Sequence, residues 1–590
     1  FTESPAKPIT CTIITCLGNG CAPAALPAVC GLLCLTLACS TQDIYVGPRA
    51  TSANSDVTVI VLESAPSDVV DTFAPGSEAA PETDDDALEP DDKRLAFTYP
   101  NHESLVPRAL PVKVVYWKAD KDFDRFELTL TSGRHTVRIF TGEPSAVIPR
   151  SAFDRLLRAK GDTQIRLSLR AGPKASGPIV TGSPLEMTFV EDDLQGDIYF
   201  WSTEAQGIMR ARIDGSAASK FFPQPDANDD EPACVGCHTL SRDGSRLAVA
   251  YEGEHLRGLA MPSRKRLYPD KDETSGPDYG WGTFDPTATR LLYAHKGQLS
   301  LLDADSGDTL SDVNMPEGVF VTHPDWSPDG QSVVVTLLHD KHGKNPEVEH
   351  SSIARIPVAP DGTFGKPEII VESADDHDTL CFPSFSPDGA FIVYTRADGK
   401  SKDQKKSELW MVATQGGEPR ELARLNRREG GRDGKDLGNR MPTWAPQTRS
   451  GRYWLTFSSS RAIGGEKLDD KRDQLWLAAI EPEGSGTDPS HAASWLPFQR
   501  LDDSNHRAFW SPPGGDACVA EPELCDERDN DCDDEVDEGC CTPEPEACGD
   551  GLDNDCDGER DEGCGCALSE VCGSGLDEDC DLQVDEGCLL

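Results

Sequence analysis

The segment Cys234-Val235-Gly236-Cys237-His238 has the most specific chemistry in this sequence. Two thiols three positions apart can each add to a vinyl group of haem while the adjacent histidine ligates the iron. Three plainer outcomes stay open for the same residues, one of them a chance spacing of the two cysteines. Cys234 and Cys237 can close a small disulfide beside His238, or they can supply half of a zinc site, although no second Cys/His pair follows at suitable spacing. A helix ordinarily follows a haem-attachment motif. Here the turn Ser241-Arg242-Asp243-Gly244 follows, and then an apolar run over 246–250 that predicts a strand.

A second chemistry is written at the far end. Between Cys518 and Leu590 stand 27 acidic residues against two arginines, together with twelve of the 21 cysteines. They form three units, 525–540, 548–564 and 572–588, with further cysteines at 518, 541 and 566. Four cysteines per unit allow two disulfides each, whose pairing spacing alone does not give. Units this small have little core and need such staples.

The carboxylates alternate. The middle unit carries Asp553, Asp555, Asp557, Asp561 and Glu562; the first carries Asp529, Asp531, Asp533 and Asp537; the third carries Asp577, Asp579, Asp581 and Asp585. Asp553-x-Asp555-x-Asp557-Gly558 matches the start of an EF-hand loop, but Cys564 stands where the closing glutamate belongs. The alternation is also similar to thrombospondin-type calcium repeats. The whole pattern over 518–588 resembles the MopE-type metal-binding repeat of bacterial surface proteins, and that resemblance implies a metal in each unit. Crowded hard oxygen donors favour calcium over copper, because thiolates that would suit copper are consumed by disulfides. An acidic, disulfide-stapled stalk without a specific metal stays open.

The elements that must position the Cys-x-x-Cys-His segment are repeats. Clean copies of one phrase are His323-Pro324-Asp325-Trp326-Ser327-Pro328-Asp329-Gly330 and Phe382-Pro383-Ser384-Phe385-Ser386-Pro387-Asp388-Gly389. Worn copies start at Cys237, Trp281, Met441 and Arg507, so the successive intervals are 44, 42, 59, 59 and 66 residues. Each interval holds the parts of a four-stranded sheet. Proline presets φ ahead of the tight turn and glycine accepts φ > 0 at its end. Such units cannot bury their own apolar faces and must stack on their neighbours. The last copy has no strands after it, while unpaired strand-like pieces lie at 197–202, 207–213 and 219–222. The first strands should therefore complete the last blade and remove the exposed edges.

These repeats resemble the TolB-like family over 196–514, which implies a six-bladed β-propeller used for binding or scaffolding and supplies no catalytic residues. Cys237 then shares a ring position with Trp281, His323, Phe382, Met441 and Arg507 at one mouth of the central channel. With haem on His238, His323 and Met441 are the candidate sixth ligands.

Before the repeats, short alternating runs between 95 and 192 predict an immunoglobulin- or fibronectin-like sandwich around Trp117, with a helical turn at 154–158. Residues 40–94 mix Ser, Ala, Pro and acids and read as a disordered acidic spacer. Residues 1–39 read as a signal segment: an apolar stretch ending Leu37-Ala38-Cys39-Ser40 resembles a bacterial lipoprotein cleavage site, with Cys39 as the lipid anchor, and a plain secretory signal is the alternative. The expected fold class is thus mainly β: sandwich, six-bladed propeller and small disulfide-rich tail.

The formal charge of −47 argues against nucleic acid, whose phosphates need a basic footprint. The cysteine count points to an extracytoplasmic compartment, the periplasm, outer membrane or cell surface of a Gram-negative-type bacterium. No Gly-x-Ser-x-Gly elbow, phosphate-binding glycine loop or His-Glu-x-x-His is found, so no catalytic constellation can be named. The expected function is an envelope binding or scaffold protein with calcium in its tail and an unidentified protein partner. The alternative is an electron-transfer protein with covalent haem c at the channel mouth.

Overall fold

The Ser-Pro-Asp-Gly phrase folds into one hydrogen-bonded turn, and the bonds account for its spelling. In a computed structural model the Ser327 hydroxyl donates to Asp329 Oδ1 at 2.6 Å and accepts from the Ser332 amide at 3.0 Å, while Asp329 also accepts from the Gln331 amide. Gly330 closes the turn at φ 73°. Ser386, Asp388 and Gly389 repeat this arrangement, as do Ser241, Asp243 and Gly244. In the worn copy Asp285 takes over the acceptor role for the Thr289 and Arg290 amides, and Ala288 bears the positive φ of 55°. The serine and aspartate of the phrase are therefore consumed by the turn itself.

The structure describes residues 44–46, 56–62 and 64–73. It also describes 94–512 apart from 159, 175–176, 193, 223–234, 252–254, 262, 269–279, 340–347, 400–405, 428–436, 447–449, 462, 464–471 and 483–487. Among these residues, the repeat span forms antiparallel sheets of four strands led by Val235–Leu240, Trp281–Phe284 and Arg440–Trp444. An eight-stranded sheet contains two further groups of four, led by Phe320–Trp326 and Asp378–Phe385 and joined by a single parallel pair, Ser351 with Thr379. The remaining sheet takes strands from both ends of the span: Ser219–Phe222, Gly207–Arg212 and Asp197–Ser202, then Asn505–Trp510. Tyr199 pairs with Phe509 and Ile198 with Trp510.

The leading strands follow one another around a closed circuit, because Asn505–Trp510 lies against both Arg440–Trp444 and Val235–Leu240. Polar bonds stitch the steps. The Trp326 amide donates to Thr283 Oγ1 at 3.2 Å, the Phe385 amide to Asp325 Oδ2 at 2.7 Å, and the Thr443 hydroxyl to the Ala508 carbonyl. The turns also nest. A Cβ on Gly389 would lie 3.3 Å from Pro328, and one on Gly244 would strike the Ser511 hydroxyl at 2.5 Å, so the last turn abuts the first. This closed circuit of four-stranded groups is a β-propeller.

Ahead of the ring, an eight-stranded sheet and a three-stranded sheet share an apolar core in which Trp117 packs on Phe126 with ring centroids 5.5 Å apart. The long strand Thr163–Pro173 alternates buried and open positions, as a strand with one covered face must. The helical turn falls at Arg150–Leu156, a few residues earlier than expected, because Ala152, Phe153 and Leu156 supply its buried face. Part of the stretch read as a spacer is structured: Asp56–Val61 joins this sheet in parallel with His135–Thr141, and Val69–Thr72 is a helical turn. Its Val57-Thr58-Val59-Ile60-Val61 run is β-branched throughout, a strand signal that the acidic surroundings masked.

The two-sheet unit and the ring share one core cluster, with Tyr99 edge-on to Trp476 at 6.0 Å. Asp192, whose side chain is 2 % exposed, accepts from Arg452 Nη1 at 2.9 Å and Trp454 Nε1 at 2.8 Å. The Asn101 amide donates to the Ala493 carbonyl at 2.6 Å. Among the described residues, no helix is long and apolar enough to cross a membrane.

Candidate functional site at the channel mouth

Among the described residues, five leading strands carry a bulge near their start, where Val235–Leu240, Phe320–Trp326, Asp378–Phe385, Arg440–Trp444 and Asn505–Trp510 slip by one residue against their neighbours. In the last four of these the bulged residues His323, Phe382, Met441 and Arg507 have φ between 46° and 52°, the left-handed region that non-glycine residues avoid. Four strained residues at one repeat position mark the place where the fold re-aims side chains inward.

Those side chains meet. His323 lies on Phe382 with ring centroids 3.9 Å apart, and Trp281 stands edge-on to both, at 5.0 and 5.2 Å. The Arg507 guanidinium sits 4.8 Å over the Trp281 ring. Beside them opens a cavity of about 280 Å³ lined by Trp201, Gly236, Cys237, His238, Trp281, Arg440, Met441, His506 and Arg507. The ring position inferred from the repeats thus brings Cys237, Trp281, Met441 and Arg507 to one cavity, with His323 and Phe382 packed against Trp281.

Electrostatics here are set by burial and by Arg507. Burial, reinforced by the Arg507 charge, pushes the His238 imidazole down to about 3, so it is neutral at ordinary pH. His323 is driven well below the usual histidine range by the same two causes. Burial raises the Cys237 thiol despite Arg507, so this thiol is not an activated nucleophile even though the residue opens to the cavity. Behind Arg440 lies Asp473. Burial alone would raise its carboxyl, yet Arg440 and His506 hold it below the usual value. Arg440, Trp201 and His506 escaped the sequence reading because they stand one position before the repeat phrase or on the neighbouring strand. The Arg440-Met441-Pro442 order was the available signal.

The histidine of the Cys-x-x-Cys-His segment is enclosed in this structure. His238 is 2 % exposed, its ring is edge-on to Phe509 at 5.2 Å, and its Nε2 faces the Tyr199 carbonyl at 3.4 Å. The nitrogen that would ligate iron is thus turned into the protein between two sheets. Its proposed sixth ligand His323 has Nδ1 3.2 Å from Thr336 Oγ1 and its ring covered by Phe382. Met441 does reach the cavity. Cys234 lies outside the described residues, as do Cys39 and all the carboxylates of the tail. Among the described residues, no cluster of three or more His, Cys, Asp or Glu is placed to hold a metal.

Comparison with known proteins bears on the tail and the ring separately. Residues 520–538, 543–562 and 567–586 each match the Cu-binding MopE family model, described as a metal-binding motif. None of the curated proteins matches the sequence. Among solved structures, TolB from Acinetobacter baumannii is 13% identical with a TM-score of 0.35, covering 71% of this chain and 99% of its own. A protein of Agrobacterium tumefaciens described as a TolB is 15% identical with a TM-score of 0.30, covering 54% and 99%. Hydrazine synthase of Kuenenia stuttgartiensis is 13% identical with a TM-score of 0.30, covering 48% and 71%. At these scores the likenesses decide nothing about function. The chain is a mainly β protein with a propeller ring and three consecutive metal-binding motifs behind it.

Proposed function

We propose that this is an extracytoplasmic binding protein of the bacterial envelope, in which a six-bladed propeller over 196–514 follows an immunoglobulin- or fibronectin-like sandwich and precedes a calcium-holding, disulfide-stapled tail over 518–588. The observation that carries it is the run of three metal-binding motif matches directly behind the last ring strand. Among the described residues, six four-stranded groups, the last shared between both ends of the span, support the blade count. The two antiparallel-rich sheets around Trp117 support the sandwich, although the parallel pairs Asp56–Val61 with His135–Thr141 and Leu185–Val190 with Ser104–Pro107 depart from a simple immunoglobulin pattern. The extracytoplasmic setting rests on the twelve tail cysteines and the surplus of carboxylates that only cations can offset.

The sequence of each unit alternates carboxylates with other residues, a hard-donor set that suits calcium. Titration calorimetry of the oxidised full chain should show saturable calcium binding at the three units. Replacing Asp553, Asp555 and Asp557 by Asn should remove the middle unit's share and leave the ring's melting temperature unchanged. Absence of calcium binding, or tighter binding of copper than calcium to the oxidised chain, overturns this assignment.

A further inference from the structure

The cavity at the channel mouth holds a buried cation with unused donors. Arg440 is 3 % exposed and lines the cavity, yet only its Nη2 has a partner, Asp473; its Nε and Nη1 have none among the described residues. Buried guanidinium donors left without acceptors are costly, so the Arg440 side chain calls for a further partner. Asp473 accepts from Nη2 and from His506 Nδ1, the latter at 3.0 Å, through one oxygen, Oδ2.

The rest of the wall fixes what kind of acceptor would suit. Trp201, Trp281 and Met441 supply flat and adaptable apolar surface, and Arg507 adds a second guanidinium over the Trp281 ring. His238 and His323 are neutral here because burial and the Arg507 charge suppress protonation, so neither brings a competing charge. Among the described residues, those lining the cavity include no carboxylate, and Asp473 stands behind Arg440. A volume of about 280 Å³ is at the lower edge of small-molecule sites, which span roughly 300–1,000 Å³.

We infer that the channel mouth is a binding site for a small carboxylate with a flat apolar body, its head on Arg440 and Arg507 and its body between Trp201, Trp281 and Met441. Charge-assisted hydrogen bonds from the guanidinium groups hold the carboxylate, and the apolar wall supplies the contact area for its body. The site is independent of the metal-binding tail and of the envelope assignment.

Equilibrium dialysis of the full chain against benzoate, with benzamide as the neutral isostere, tests it. Benzoate should bind saturably and at least tenfold more tightly than benzamide. Arg507→Gln should weaken benzoate at least tenfold, and Arg440→Lys, which keeps the charge beside Asp473 but loses the guanidinium donors, should do likewise. Met441→Trp should abolish binding by filling the space. Melting curves of each variant verify that it is folded, and a variant that does not fold is replaced in the comparison by Met441→Trp. No saturable benzoate binding, equal binding of benzamide, or unchanged affinity in the folded Arg507→Gln protein overturns the inference.

Discussion

At the scale of single residues, the histidines of the channel mouth make the ring sensitive to acid. His238 has a folded value of about 3 against about 6.5 unfolded, and His323 is displaced in the same direction. Below pH 6.5 the unfolded chain therefore takes up protons that the folded chain refuses. Stability is fully present above that pH and is lost as pH falls toward 3, by up to about 1.4 kcal/mol per pH unit for each histidine. Melting temperatures measured from pH 7 to pH 4 should decline, and the His238→Gln and His323→Gln variants should each show a shallower decline. A flat profile in the parent protein would contradict the burial of both rings. The inward-facing Nε2 of His238 gives a second prediction at this scale. Expression alongside haem-maturation machinery should yield protein without a c-type absorption band; a sharp reduced band would show that this segment rearranges to accept haem.

At the scale of elements, the contact between the two-sheet unit and the ring turns on Asp192. Its carboxylate is the acceptor for both Arg452 and the Trp454 indole, and all three are largely enclosed. Asp192→Ala strands the Trp454 indole N–H and leaves Arg452 with Glu481 as its remaining carboxylate partner at 2.9 Å, which should cost about 2 kcal/mol in denaturant unfolding. A cost under 0.5 kcal/mol would show that the contact contributes little.

The repeat elements were legible because the turn chemistry is spelled locally: Ser327, Asp329 and Gly330 bond within six residues, so the phrase survives wherever the turn does. The same local logic placed Cys237, Trp281 and Met441 at one mouth. The strand Asp56–Val61 was hidden because its parallel partner lies almost eighty residues away and nothing local requires it. The role of Arg440 was hidden for a related reason. Its neighbours Asp473 and His506 come from other strands, and only the closed ring brings them together.

At the scale of the whole molecule, the ring removes its own edges by pairing Asp197–Ser202 with Asn505–Trp510, so most of a repeat domain's span depends on strands some three hundred residues apart. Long loop closure of this kind makes folding slow and its product cooperative. The carboxylate-rich tail behind it brings about half of the net charge, and it can be removed without touching a ring strand.

Hydrogen exchange of the full chain, followed peptide by peptide, tests the closed ring most directly. Amides of Asp197–Ser202 and Asn505–Trp510 should exchange together and slowly, and ending the chain at Ser504 should release those of Asp197–Ser202 by at least a hundredfold. Fast exchange of either strand in the intact chain, or unchanged protection of Asp197–Ser202 after the truncation, would contradict the closure.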